Sequence, residues 1–286
     1  KMNFFFSILF YFSFLAFFAQ EFNQDISYQP LFLKYKLPSV SNDFKHLLEH
    51  RVKPIDTVRI GIIGLGNRGQ MALERLPKIV GVQIRAISDI DTSKVNQSAE
   101  RYFLGNNLKA PDLYYGSSDW KSICERDDID LIYVCTHWEL HTPIAVYAMN
   151  HGKHVAVEVP AALTIKQCWE LVKTAEKTKK HCIQLENCMY DFFEISVHNM
   201  AKKGLFGELV HTEGAYIHDL RALNFSDTYY WNHWRLKRLQ KTNGNTYPTH
   251  GLGPLAHILN IHRGDKMERL VSMSSNQFGL TQYANS

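Results

Sequence analysis

The chain has 286 residues, 45% hydrophobic and 21% charged, with 32 Lys and Arg against 28 Asp and Glu for a net charge of +4. That balance belongs to a folded globular protein of one large or two ordinary domains and excludes a disordered or fibrous chain. The charge is mild and no basic run interleaves with aromatics, which argues against a nucleic-acid partner.

The first element is Phe4 to Phe18, almost wholly apolar, preceded by Lys1 and ending near Ala16 and Ala19. It is short for a membrane span and suits the apolar region of a signal peptide over residues 1–20, cleaved after Ala19 or Gln20 with no membrane insertion afterwards, against the alternatives of an uncleaved anchor or a mis-called start. No twin-Arg pair precedes it, so the expectation is export by the general secretory route, to the periplasm or beyond. Residues 21–56, with Pro30, Pro38 and Pro54, read as an N-terminal arm.

From Thr57 strands and helices alternate. Val58 to Ile63 is an apolar strand, and it runs into Gly64-Leu-Gly66-Asn-Arg-Gly69 and a helix over Asn67 to Leu76. In a G-x-G-x-x-G the first glycine makes a tight turn, the second lets backbone approach a pyrophosphate, and the third lets helix pack on strand. The helix N-terminus then presents its positive dipole end to the phosphates. A second strand, Val82 to Ser88, ends at Asp89, placed to accept a ribose 2′-hydroxyl, which selects NAD over NADP. Ser93 to Phe103 reads as helix with Gly105 as its cap, Asp119 to Arg126 as a short helix, and Ile129 to Cys135 as a strand covered on both faces. Pro143 to Asn150 is helical, His154 to Val159 a strand, and Thr164 to Lys180 a helix opened by the capping box Thr164-x-x-Gln167. Its Lys173 to Lys180 stretch is a solvated face. Cys182 to Glu186 is the last strand of the series. This order predicts a doubly wound parallel α/β sheet, a Rossmann domain over 57–186.

After Asn187 the pattern changes. Phe193, Val197 and Met200 share one helical face with Gly204 at its end, and Leu209 to Ile217 reads as a strand. Residues 187–286 are expected to form an α+β substrate domain, truncated before a clear final element. The five cysteines, Cys124, Cys135, Cys168, Cys182 and Cys188, show no Cys-x-x-Cys or zinc spacing, so they read as free core thiols and no metal is expected.

Ligands of open parallel sheets bind beyond the carboxyl ends of strands. Thr136-His137-Trp138-Glu139-Leu140-His141 leaves one such end and Glu158-Val159-Pro160 another. The first is expected to touch the cofactor, against the plainer reading of a polar loop that caps a helix.

The order of these motifs resembles the Gfo/Idh/MocA oxidoreductases, whose Glu-Lys-Pro stands where this chain has Glu158-Val159-Pro160. The usual proton-handling lysine is therefore replaced by Val159. Glu186-Asn-Cys-Met-Tyr190-Asp, Glu213-Gly-Ala-Tyr216-Ile-His, Trp234-Arg235 and Gly244-Asn-Thr-Tyr247-Pro-Thr-His250-Gly-Leu-Gly-Pro254 resemble one branch, the NAD-dependent α-N-acetylgalactosaminidases of glycoside hydrolase family 109. The resemblance runs from about Thr57 to the end, and family members continue past that point.

The resemblance implies a glycosidase that holds NAD as a recycled catalyst and acts on glycans ending in N-acetylgalactosamine. Oxidising the sugar C3 hydroxyl acidifies the C2 proton; a base removes it, the C1 group leaves, water adds and the hydride returns. Such enzymes stand outside the paired-carboxylate scheme. By position, the cofactor shell would comprise Gly64, Gly66, Asn67, Arg68, Gly69, Asp89, His137, Trp138, Glu139, Leu140, His141, Glu158, Val159 and Asn187. Tyr216, Arg235, Tyr247, Pro248, Thr249 and His250 would hold the sugar. Tyr190 would be the C2 base, helped by a nearby cation, and His250 a proton shuttle, two roles that could be exchanged. Each has a plain structural alternative: Tyr190 and Tyr216 as packing aromatics, Arg235 as a solvated cation, His250 as a turn residue. Their occurrence as an ordered set favours the functional reading. The alternatives for the whole are a Gfo/Idh/MocA-type sugar oxidoreductase with net hydride transfer, which Val159 opposes, and a non-catalytic sugar-binding relative. Exposed sheet edges would favour a homo-oligomer.

Overall fold

The computed structural model describes residues 47, 50–106, 108–242, 244–276 and 278–286. The expected signal segment 1–20 and most of the arm lie outside the described residues. Residues 50–57 carry neither helix nor strand.

Six parallel strands form one sheet: β1 (Val58–Ile63), β2 (Val82–Asp89), β3 (Asp112–Tyr115), β4 (Leu131–Val134), β5 (His154–Val157) and β6 (Cys182–Gln184). Their order is β3-β2-β1-β4-β5-β6, so the chain reverses its winding between β1 and β4. Helices α1 (Asn67–Arg75), α2 (Thr92–Tyr102), α3 (Trp120–Glu125), α4 (His141–Asn150) and α5 (Ile165–Thr178) make the crossovers. Side chains alternate across a strand, so β1 feeds two cores. Ile60 and Ile62 join Ala72, Leu73, Val95 and Ala99 from α1 and α2. Ile63 joins Ile132 and Val134 of β4 with Ile123, Ile144, Met149 and Leu171 from α3 to α5. Covering both faces is why β1 and β4 read as continuous apolar runs. The amino ends of the strands carry ion pairs instead: Arg59 grips Asp130 through its backbone amide and guanidinium, and Arg85 and Arg126 share Asp128.

The element order up to β6 matches expectation closely, with a few differences. β3 is an extra strand; its four residues are too few to show a period. The Ile129 to Cys135 run pairs only over Leu131–Val134. Gly105 caps nothing, because Phe103 ends α2 and Gly105 lies in a tight turn over 104–106. Of the cysteines, all free, only Cys124 is fully buried and Cys168 is exposed on α5, so the thiols are not uniformly core residues. The capping box is present, with Thr164 accepting the Gln167 amide and Gln167 accepting the Leu163 amide.

Beyond β6 come α6 (Phe192–Lys202), α7 (Arg221–Asn224), α8 (Trp234–Leu239), α9 (Pro248–Ile258) and α10 (Gly279–Asn285). Gly204, at φ +71°, follows the end of α6 as anticipated. The expected strand Leu209 to Ile217 does not form. Its alternation is real, but among the described residues no strand runs beside it, and Val210 and Ile217 are 93% and 92% exposed. The segment instead crosses α9 backbone to backbone: a Cβ on Gly214 would stand 2.8 Å from the Gly251 carbonyl oxygen. No described helix is long and apolar enough to cross a membrane.

Candidate functional site

The glycine loop leaves β1 at the reversal of winding, where open α/β sheets place their ligands. Gly64 has φ +95°, and a Cβ there would lie 2.6 Å from the backbone of Cys135 at the end of β4. A Cβ on Gly69 would sit 2.1 Å from the Gly64 carbonyl oxygen, whereas around Gly66 nothing lies within 4 Å. Two glycines thus close the loop and the third leaves a cradle open. α1 starts at that cradle with no side-chain cap and no acidic residue in its first turn, so its leading amides are available to an anion. These residues fit a dinucleotide pyrophosphate. Asn67 and Arg68 are exposed beside it.

Asp89 has a second task. Its Oδ2 accepts the Leu65 amide at 2.6 Å and its Oδ1 the Asp91 amide at 2.9 Å, so it braces the glycine loop. Each carboxylate oxygen keeps a further lone pair for a ribose hydroxyl.

At the end of β4, Trp138 is buried, His137 is half-buried and Glu139 is exposed, while Leu140 packs into the core. His141 is 1% exposed, with Nδ1 2.8 Å from the Pro160 carbonyl oxygen and Nε2 2.9 Å from that of Thr136. It pins the ends of β4 and β5 together, with both ring nitrogens facing backbone carbonyls. At the end of β5, Glu158 lies 4.0 Å from Arg68 of the glycine loop. Burial raises its pKa while the guanidinium opposes that. Val159 is buried and offers no proton.

The second half brings its own residues to this edge. Arg235, 5% exposed, stacks its guanidinium on Tyr247 (4.8 Å), Tyr230 (5.2 Å) and Trp138 (5.3 Å), and donates to the Tyr230 hydroxyl at 2.5 Å. Trp138 also meets Trp234 edge-on. Burial pushes the Tyr247 phenol up to about 12, with Arg235 opposing, so Tyr247 stays a neutral donor at ordinary pH. His250, 7% exposed, has the Tyr216 ring at 4.6 Å and the Tyr247 ring at 5.0 Å, and its Nδ1 is 2.6 Å from Glu186 Oε1. Close backbone packing makes this possible: a Cβ on Gly253 would stand 2.9 Å from Glu186 Cγ. Glu186 Oε2, Arg235 Nε and Thr249 Oγ1 are buried without hydrogen-bond partners. A cavity of about 180 Å³ lined by Tyr216, Tyr247 and Leu255 adjoins the cluster, but neither His250 nor Glu158 lines it.

Glu186, Cys188 and His250 bring one potential ligand atom each within 4.8 Å of one another. Two ligands of one tetrahedral zinc stand about 3.4 Å apart. The 2.6 Å between His250 Nδ1 and Glu186 Oε1 is instead the length of a short, charge-assisted hydrogen bond.

Tyr190 is not drawn into the cluster. It ends the turn Asn187–Tyr190, which packs on α9, but it is 68% exposed and no cation stacks on it among the described residues. Asn187 and Pro248 are exposed as well. Glu186, Tyr230 and Trp234 are site residues that sequence reasoning missed. Glu186 and Trp234 stood in the quoted motifs, but nothing local marks a glutamate as the partner of a histidine 64 residues away.

Residues 58–185 match the model of the oxidoreductase family with an NAD-binding Rossmann fold, and residues 190–286 match that of the glycosyl hydrolase 109 C-terminal domain. An α-N-acetylgalactosaminidase of Bacteroides fragilis is 52% identical over 84% of this chain and 57% of its own length. A glycosyl hydrolase family 109 protein of Porphyromonas gingivalis is 49% identical over 85% of this chain and 51% of its own. The chain thus spans little more than half the length of these curated relatives. Among solved structures, a myo-inositol 2-dehydrogenase from Lactobacillus plantarum aligns at 24% identity with a TM-score of 0.47, covering 54% of this chain and 43% of that one.

Proposed function

The chain belongs to the glycosyl hydrolase 109 branch of the Gfo/Idh/MocA oxidoreductase family, and on that premise we propose that the protein is a glycosidase removing terminal α-linked N-acetylgalactosamine from glycans with a recycled NAD. The observation that carries this reading is the meeting of two halves. The glycine loop and Glu158 come from the sheet, the Arg235, Tyr247 and His250 cluster comes from the second half, and Trp138 joins them.

NAD held in the cradle would supply reversible hydride acceptance from a sugar carbon. The amides opening α1, with Asn67 and Arg68, bind its phosphates, and Asp89 holds both loop and ribose. Arg235 and Tyr247 present a rigid, partly desolvated wall to the sugar, and Trp138 excludes water behind them. His250 Nε2 has no hydrogen-bond partner among the described residues, and on this reading it is the nitrogen that exchanges a proton with the sugar. Tyr190 would have to turn in from solvent to act as the C2 base, which favours His250 for that step. Val159 supports hydrolysis over net oxidation, because the buried valine cannot move a proton at the place where alcohol oxidation would need one.

The test is stoichiometry with an aryl α-N-acetylgalactosaminide. Release of free sugar with no net NADH supports the glycosidase; net NADH from sugar alone supports the oxidoreductase. No cleavage by the wild type, or full activity in both Tyr190→Phe and His250→Ala, would overturn the reading. We further propose export directed by residues 1–20, which secretion with and without that segment tests, and a homo-oligomer, which sedimentation tests.

A further inference from the structure

We propose that Glu186 is the positioning residue of His250, fixing which ring nitrogen faces the substrate. The proposal rests on the reading that His250 exchanges a proton with the sugar, but its geometry stands independently. Glu186 and His250 are 4% and 7% exposed and, among the described residues beyond β6, form the one ion-pairing contact in which both side chains are buried. A carboxylate can only accept, so the 2.6 Å contact requires a proton on Nδ1 and leaves Nε2 as the basic nitrogen.

The carboxylate is itself immobilised. Its Oε1 also accepts the Cys188 amide at 3.0 Å, opening the turn Asn187–Tyr190, and its Cγ is packed against the backbone of Gly253. The Tyr216 and Tyr247 ring centroids lie 4.6 Å and 5.0 Å from that of the imidazole, so aromatic packing restricts its plane while the carboxylate selects the nitrogen that faces it. Holding a histidine's tautomer and plane through its other nitrogen is a recurrent way of preparing it for proton transfer. Glutamine at 186 would lift the constraint, because its amide can either accept from Nδ1 or donate to it, admitting both tautomers.

The test is nitrogen NMR of the full chain labelled at histidine, with His250→Ala assigning the ring, alongside steady-state kinetics on the aryl α-N-acetylgalactosaminide. In the wild type the His250 ring should show a protonated Nδ1 and a bare Nε2. In Glu186→Gln the single tautomer should give way to a mixture, and kcat should fall about 10- to 100-fold with KM little changed. Glu186→Asp, which keeps the carboxylate, should restore the wild-type tautomer. A wild-type ring protonated on Nε2 instead would overturn the proposal whatever the activity. So would a Glu186→Gln variant that keeps both the Nδ1–H signal and wild-type kcat. If the wild type releases no sugar, the proposed function fails and the ring spectrum alone decides the role of Glu186.

Discussion

The two halves bury different things. Among the described residues, every buried apolar side chain lies between Ile60 and Ala175, most of them on the two faces of the sheet. Beyond β6 the buried described residues are Glu186, Asn224, Arg235 and His250, all polar, while Phe192, Phe193, Val210, Ile217 and Leu270 stand largely in solvent. The first half is held by non-directional burial, at about 1.5–3 kcal/mol for each large aliphatic side chain. The second half holds its site together with hydrogen bonds, stacked rings and close glycine contacts, which are directional and specify geometry more than stability. The proposed chemistry sits where the second set is laid on the carboxyl edge of the first.

The largest effect expected from breaking that contrast is in the sheet. Ile132→Ala, in the centre of β4, should cost about 2–5 kcal/mol, whereas Phe193→Ala on α6 should stay within about 0.5 kcal/mol. Chemical denaturation of both variants measures this, and equal losses would dissolve the distinction. Gly69→Ala comes next. Its Cβ meets a backbone oxygen at 2.1 Å, so the loop must shift, at about 1–3 kcal/mol, and the nucleotide cradle shifts with it. Calorimetric titration with NAD should show the affinity lost, and unchanged binding would mean the loop yields freely.

Arg235→Lys keeps the charge but not the planar stack on Trp138, Tyr230 and Tyr247. We expect the lost stacking to cost about 0.5–2 kcal/mol of stability, read as a lower melting temperature together with a rise in KM. The smallest effect belongs to the amino edge of the sheet. Hydrogen bonds from Arg126 and Arg85 hold the Asp128 carboxyl well below the usual range. A lowered folded-state pKa stabilises above the unfolded value of about 3.9 and is lost as pH falls through the folded value. Melting temperature should therefore drop more steeply below about pH 4 in the wild type than in Asp128→Asn, by an amount typical of partly exposed pairs, about 0.2–1 kcal/mol. Parallel curves would remove the pair from the account.

How far each half could be read follows from the same physics. The strand periods, the glycine loop, the Thr164 capping box and the strand-end motifs are local signals, and each appears where its residues predict. β3 escaped because four residues carry too little pattern. The Leu209 to Ile217 segment misled because alternation reports a strand's own preference and says nothing about a neighbour. The place of His141 in the strand-end loop was visible in the sequence, and its burial between two backbone carbonyls was not.

By itself the sequence determined the winding of the sheet, the nucleotide cradle and the family, since these depend on residue types at short, fixed spacings. Only the tertiary structure decided that Glu186 meets His250, that Arg235 is buried in a ring of aromatics, and that Tyr190 faces solvent. Those outcomes depend on how closely Gly214, Gly251 and Gly253 let separate backbones approach, and such an approach is set by packing across the whole chain.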